Sequence, residues 1–443
     1  MKNAREPLNG EIPNDPMHTT STPAPESPWL MLPFALQLLA IALLPFLAHR
    51  WWDRNYPKIS AVLGSVVTGY YLLVLHDAHR VAEALHEYGS FLILMAALFI
   101  VAGGIHLGVE GGATPLRNLL FLTGGAVLSN LIGTTGASML LIRPWIRMNR
   151  YRFTEFHAVF FIFLVSNVGG CLTPVGDPPL FLGFLKGVPF FWTLAQLWKP
   201  WLLVLGLLAA IFFLMDRENF LRAPRAIRTE ETGAERFSVE GLGNLAPLAA
   251  ILGAIFLPSP WREAVMAAAA LCSWYLTPRL LHERNGFTFA PIREVAWLFL
   301  GIFLTMIPAL DLLGRRAPEL AKVFGMGPVH FYYATGFLSS MLDNAPTYLA
   351  FLSVDAGLKG GSLNNPEDIL RLATQTPDNL IAISLGAVFF GAMTYIGNGP
   401  NFMVRSIVAE SGGKCPGFFG YIFSFALPIL LPVLALAGWL FLR

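Results

Sequence analysis

The chain has 443 residues, of which 55% are hydrophobic and only 13% charged, about half the charged fraction of ordinary soluble domains. A water-soluble globule is thereby excluded. The 30 Lys and Arg against 28 Asp and Glu leave a net charge of +2, with no basic patch and no expectation of nucleic acid.

Residues 1–27, rich in Pro, Ser, Thr and Glu, lack the pattern of a signal peptide and read as a disordered tail. Apolar stretches long enough to cross a hydrocarbon core of roughly 30 Å then recur to the end of the chain, so the sequence predicts an all-α polytopic membrane protein. Spans are expected at 29–48, 57–75 and 88–108, followed by a polar-interrupted stretch at 117–148, an interrupted span at 155–187 and a clean one at 195–216. A charged loop at 217–243 separates a first repeat (28–216) from a second (244–443). The pattern restarts with spans at 244–258, 262–282 and 293–313, an interrupted stretch at 328–353, an interrupted span at 379–411 and a last span at 418–441.

Superposition supports the restart. A shift of 210 lays Leu128–Ile142 on Leu338–Leu352, and a shift of 221 lays Gly170–Pro179 on Gly391–Pro400, matching G-x-x-T-x-x-G-[D/N]-x-P with Asp177 opposite Asn398. If 117–148 and 328–353 are re-entrant hairpins, about ten spans remain and the two copies are inverted. With the tail outside, 18 of the 30 cations fall on the cytoplasmic side, among them Arg143, Arg147, Arg150 and Arg152 and, in the central loop, Arg217, Arg222, Arg225, Arg228 and Arg236.

Backbone groups inside a membrane are freed from helix bonding only where they line a protein-buried or wet cavity. Four Gly/Pro/Asn clusters mark such places: Ser129, Asn130 and Thr134; Ser166, Asn167, Thr173 and Asp177 with Pro178-Pro179; Ser339, Asp343, Asn344 and Thr347; Thr394, Asn398 and Asn401. Their hard oxygen donors suit an alkali cation, and their helix N-termini suit an anion. Asp177 and Asp343 favour the cation, because a carboxylate at that depth is normally paired or functional. A desolvated aspartate can also trade a proton for a cation. The bland alternative makes Asp177 the cap of the helix opened by Pro178-Pro179. For Asp343 capping explains less, because its repeat counterpart is Gly133. No Lys or Arg lies within the clusters, and the nearest, Arg405, is either a partner or the end of a helix. The expected sodium site is built from Asp343, Asn344, Thr173, Asp177 and Asn398.

Other candidates read as structural. His76-Asp77-Ala78-His79-Arg80 reads as a solvated loop, His106 and Glu110 close a span, and His106 reads as core or interfacial before proton relay. Asp311 is open between cap and relay. Trp29, Trp51, Trp52, Trp192 and Trp198 fit interfacial anchors. Cys171, Cys272 and Cys415 have no metal-ligand spacing and read as small apolar packing residues. No nucleophile–base pair, HExxH or cofactor motif is present, so neither an enzyme nor a cofactor is expected.

At Ser166–Pro179, Ser339–Pro346 and Gly397–Asn401 the sequence resembles the ion transporter superfamily, within it the NhaD-type sodium/proton antiporters and a related group labelled putative citrate transporters. The resemblance implies inverted repeats, two hairpins, two broken helices, a homodimer formed through a scaffold domain and a transport domain that moves, in a bacterial inner (plasma) membrane. Sodium-coupled dicarboxylate members carry Ser-Asn-Thr at hairpins and breaks. Here Ser129-Asn130-Leu131, Ser166-Asn167-Val168 and Ser339-Ser340-Met341 replace the final Thr. The expectation is a secondary transporter exchanging sodium for protons by alternating access, with sodium- or proton-coupled carriage of citrate or another carboxylate as the alternative.

Overall fold

The computed structural model describes residues 27–110, 113–224, 236–325 and 327–443. The tail apart from Ser27, and Arg225 and Arg228 of the central loop, lie outside the described residues. The first half contains α1 (Leu32–Leu47), α2 (His49–Leu73), α3 (Ala78–Gly103), β1 (His106–Glu110), α4 (Pro115–Met148), α5 (Glu155–Leu164), α6 (Pro178–Lys186) and α7 (Trp192–Arg222). The second contains β2 (Arg236–Glu240), α8 (Leu245–Ala254), α9 (Trp261–Leu276), α10 (Arg279–Arg284), α11 (Ala290–Phe324), α12 (Pro328–Met341), α13 (Asn344–Leu358), α14 (Pro366–Gln375), α15 (Asp378–Phe390), α16 (Gly399–Glu410) and α17 (Phe418–Phe441).

Seven of the described helical segments are long and apolar enough to cross a membrane, or eight when α14 and α15, bent by 99°, count as one. Length misleads for α4. Its 34 residues would reach about 50 Å if straight, yet Asn118 and Asn149 exchange hydrogen bonds at 2.7 and 3.2 Å. The rings of Phe121 and Trp145 stack at 5.5 Å, and a Cβ on Gly125 would meet Leu141 at 2.8 Å. The segment therefore folds back on itself at Gly133, whose φ of 75° and ψ of 155° suit only a residue without a side chain. This is hairpin 1. Helices α12 and α13 form hairpin 2, reversing at Leu342-Asp343 and bringing Phe331 to Phe351 at 6.2 Å. Gly133 and Asp343, equivalent at the shift of 210, are thus the two tips.

The two broken helices run in opposite directions. Helix α5 starts beside the open end of hairpin 1, where Asp216 accepts from Asn118 and pairs with His157. Helix α6 ends beside the base of hairpin 2, with Gly187 against Pro366. Helix α15 begins at that base, where Asn379 donates to Asp355 over 2.7 Å, and the turn after α16 returns Gly413 to Phe153. The hairpins thus enter from opposite faces, and the repeats are inverted.

Helices α8 and α9 are short, at 10 and 16 residues. They still traverse the layer, because Asn244 bonds to Gly104 and Ser259 to His86, points about 27 Å apart along α3.

Several boundaries differ from the sequence reading. The span expected to 108 ends at Gly103, and His106 lies in β1, paired antiparallel with β2 inside what reads as a charged loop. Gly104 and Asn244 fix this ribbon, so tertiary pairing overrides a short apolar run. Helix α7 continues to Arg222 because its charged end still finds partners: Arg152 donates to Asn219 Oδ1 at 3.1 Å and lies over the Phe220 ring at 5.4 Å. Helix α14 projects from the helix it precedes and holds Trp192 through Ala373 O. Trp192 and Trp52 are therefore buried packing residues, whereas Trp29, Trp51 and Trp198 are exposed as anchors would be. Cys171 is buried, but Cys272 faces outward rather than packing inside.

Candidate functional site

The repeat motif explains how each broken helix is built. In the first break Thr173 Oγ1 accepts from the Gly176 N–H at 3.1 Å and donates to the Asn130 carbonyl at 2.6 Å. In the second, Thr394 Oγ1 accepts from Gly397 N–H at 3.3 Å and donates to the Ser340 carbonyl at 2.6 Å. Asn130 and Ser340 are equivalent at the shift of 210, so each threonine both closes its loop and ties it to its own hairpin. The motif glycines are sterically required, because a Cβ on Gly176 would lie 2.1 Å from Gly170 O and one on Gly397 2.6 Å from Gly391 O. The register shared by the two motifs also places Asp177 and Asn398 at the N-caps of α6 and α16.

These two loops and the two tips converge on one carboxylate. Asp177 is 1% exposed. Its Oδ1 accepts from Thr134 Oγ1 at 2.9 Å and from Asn398 Nδ2 at 3.0 Å, and its Oδ2 from Asn344 Nδ2 at 2.6 Å. Each of the other three clusters thus supplies one donor. Thr134 and Asn344 are equivalent at the shift of 210, and Asp177 and Asn398 at 221, so the network consists of two symmetry-related pairs with a single ionisable group. Asn344, fully buried, keeps its Oδ1 without a hydrogen-bond partner. Among the described residues no Lys or Arg pairs with Asp177 or Asp343, and Arg405 instead stacks on Tyr395 at 4.9 Å.

Further side-chain hydrogen bonds join the two breaks. Asn167 Nδ2 donates to Asn401 Oδ1 at 2.7 Å, Asn401 holds the Gly391 and Thr394 carbonyls, and Asn398 also reaches Asn167 Oδ1 and the Ser166 carbonyl. Ser166 bonds Ser138 in hairpin 1. Ser129 and Ser339 pin their hairpins to the Val165 and Ala387 carbonyls at 2.8 and 2.6 Å.

The roles of the two aspartates are reversed relative to the capping argument. Asp177 makes no side-chain cap, while Asp343 Oδ1 accepts from Ala345 N–H at 3.0 Å and caps α13. Asp343 is half-buried and within electrostatic range of Asp177. Asn130, expected in the central cluster, turns to the Leu172 N–H instead. Thr347 bonds back to the Asp343 carbonyl within its own helix.

Two sets of polar pairings lie outside the four clusters. At the base of hairpin 1, Asp216 receives Arg152, His157 and Asn118, all buried. At the opposite face Lys186 pairs with Glu87 at 2.6 Å, and Asp311, which lies inside α11 and so caps no helix, pairs with Arg80 at 3.0 Å. His106 Nδ1 meets Asn285 Oδ1 at 2.7 Å in the ribbon.

The family described as "Putative citrate transport" matches residues 24–442, and the chain belongs to it. A "46 kDa membrane protein" of Mycobacterium leprae (strain TN) is 25% identical over 424 residues, covering 88% of this chain and 95% of that protein.

Proposed function

We propose that this member of the family is a secondary active transporter that exchanges sodium for protons at Asp177. The observation that carries the reading is the buried Asp177 carboxylate, held by one side chain from each of the other three clusters. A bare carboxylate is costly to carry across a bilayer, whereas a protonated or sodium-loaded one is close to neutral. Only the two loaded forms then cross readily, which couples the ions. The buried Asn344 Oδ1 offers a second hard oxygen beside the carboxylate. Asp343, next in sequence, sets the start of the helix that carries Asn344. Thr173 shapes the loop that presents Asp177. Inverted repeats with oppositely entering hairpins support alternating access, in the bacterial inner membrane with the tail outside.

A second reading, coupled carriage of citrate or another carboxylate, is favoured by the family's description and by the α6 and α16 N-termini at the network. Against it stands the chemistry of the site: up to three negative charges would face an aspartate with no cationic side chain. Proteoliposomes distinguish the two. A sodium gradient alone should change the internal pH, and a flux that is silent until citrate is added would overturn the sodium–proton assignment.

A further inference from the structure

The helices form two groups. Hairpins 1 and 2 with α5–α7 and α15–α17 surround Asp177, while α1–α3, α8, α9 and α11 pack on one another as a frame. The frame meets the hairpins at two equivalent crossings: α3 on the return arm of hairpin 1, and α11 on the return arm of hairpin 2. The crossings are not alike. At α11, Ser353 Oγ donates to the Leu310 carbonyl, and a Cβ on Gly357 would stand 1.8 Å from Gly314 O, so backbone lies on backbone. At the shift of 210, Arg143 and Arg147 occupy the places of Ser353 and Gly357 at the other crossing. There a Cβ on Gly136 would stand 3.4 Å from the Ala102 Cβ, an ordinary van der Waals contact.

Polar links flank the tight crossing. Lys186 Nζ, at the end of α6, meets Glu87 Oε1 of α3 at 2.6 Å, with side chains 9% and 22% exposed. Asn364, in the segment after hairpin 2, donates to Asp311 Oδ1 of α11 at 3.1 Å. Arg80 of α3 holds the same carboxylate at 3.0 and 3.2 Å. Lys186 and Asn364 belong to the Asp177 group, while Glu87, Arg80 and Asp311 belong to the frame.

We propose that Glu87–Lys186 and Asp311–Asn364 form a latch that keeps the hairpin-2 face closed, with Arg80 fixing the Asp311 carboxylate as the strike. The inference rests on the alternating-access reading above. The latch biases the equilibrium without locking it, because a partly buried ion pair that separates regains hydration nearly equal to the attraction it loses.

The test uses the full chain in proteoliposomes with Cys171, Cys272 and Cys415 replaced by Ala. Ser353→Cys, 3% exposed at the tight crossing, reports opening through its reaction with a membrane-impermeant maleimide added from the hairpin-2 face. Glu87→Gln should raise the labelling rate roughly fivefold, the equivalent of about 1 kcal/mol of pair coupling, and Asp311→Asn should raise it independently. The exchange Glu87→Lys with Lys186→Glu should restore the slow rate. Gly357→Ala, whose methyl collides with Gly314, calibrates the fully opened signal. Labelling that stays flat in both Glu87→Gln and Asp311→Asn while Gly357→Ala raises it overturns the latch, as does a charge exchange that fails to restore it. Labelling reports the face and not the cargo, so a protein that shows these changes but no sodium–proton flux refutes the cargo reading alone.

Discussion

Replacing Asp177 with Asn separates a site carboxylate from a structural one. The new amide keeps the shape and Oδ1, which still accepts from Thr134 and Asn398. Its Nδ2 would face the Asn344 Nδ2, donor against donor. A half-turn of the Asn344 amide relieves this, because Asn344 Oδ1, now without a partner, then accepts from the new N–H. Folding stability should therefore change by no more than about 1 kcal/mol. The ion loses far more. A unit charge about 2.4 Å from sodium contributes roughly 7 kcal/mol at an effective dielectric constant of ~20, before the cost of desolvation, so a loss of at least ~100-fold in sodium affinity and in exchange is expected. Asp343→Asn is the control: Asn caps a helix as well as Asp does, and exchange should stay within about threefold. The assay is sodium-driven pH change in proteoliposomes, with thermal unfolding in detergent alongside. Unchanged exchange in a well-folded Asp177→Asn protein would show that Asp177 does not hold the ion, and equal loss in Asp343→Asn would show that the tip carboxylate also holds it.

Asp216→Asn should lower stability by about 3–5 kcal/mol, because it leaves the buried Arg152 guanidinium without its counter-charge; a shift worth under about 1 kcal/mol in thermal unfolding would contradict this. Gly176→Ala should cut exchange at least about tenfold by driving the loop before Asp177 away from Gly170 O, and wild-type flux would show that the pinch is dispensable. Thr394→Val should cost about 1–3 kcal/mol for each group it orphans, among them the Ser340 carbonyl and the Gly397 N–H. The loss is read as an unfolding temperature below that of Thr394→Ser, which keeps the hydroxyl, and equal temperatures for the two variants would contradict it.

The hairpin tips, both breaks and the order of spans are legible in the sequence because each is local: a glycine or proline interrupts an apolar run, and the repeat doubles the signal. Gly133 and Asp343 look unlike, yet the shift of 210 aligns them as tips. The convergence on Asp177 is only half legible. The four clusters can be named, but which of Asp177 and Asp343 faces the others depends on loop geometry that Thr173 and the Gly170–Gly176 pinch impose in three dimensions. Asn130 carries the right chemistry and turns to backbone instead. The Arg152–Asp216 and Lys186–Glu87 pairs are invisible for another reason. Their partners lie far apart along the chain in charged stretches that read as helix ends, and nothing local announces which ends meet. The β1–β2 ribbon is hidden in the same way, its two strands separated by four membrane elements.

If sodium and a proton compete for the Asp177 carboxylate, sodium binding releases a proton. Purified protein in weakly buffered detergent solution, titrated with sodium chloride against a choline chloride control, should acidify the medium by up to one proton per chain. Apparent sodium affinity should weaken as pH falls, approaching tenfold per unit once the carboxylate is mostly protonated, because each bound proton removes the charge that sodium needs. Asp177→Asn should abolish both effects. Sodium binding that releases no proton and keeps the same affinity across pH, or proton release that persists in Asp177→Asn, would show that the two ions do not share this carboxylate.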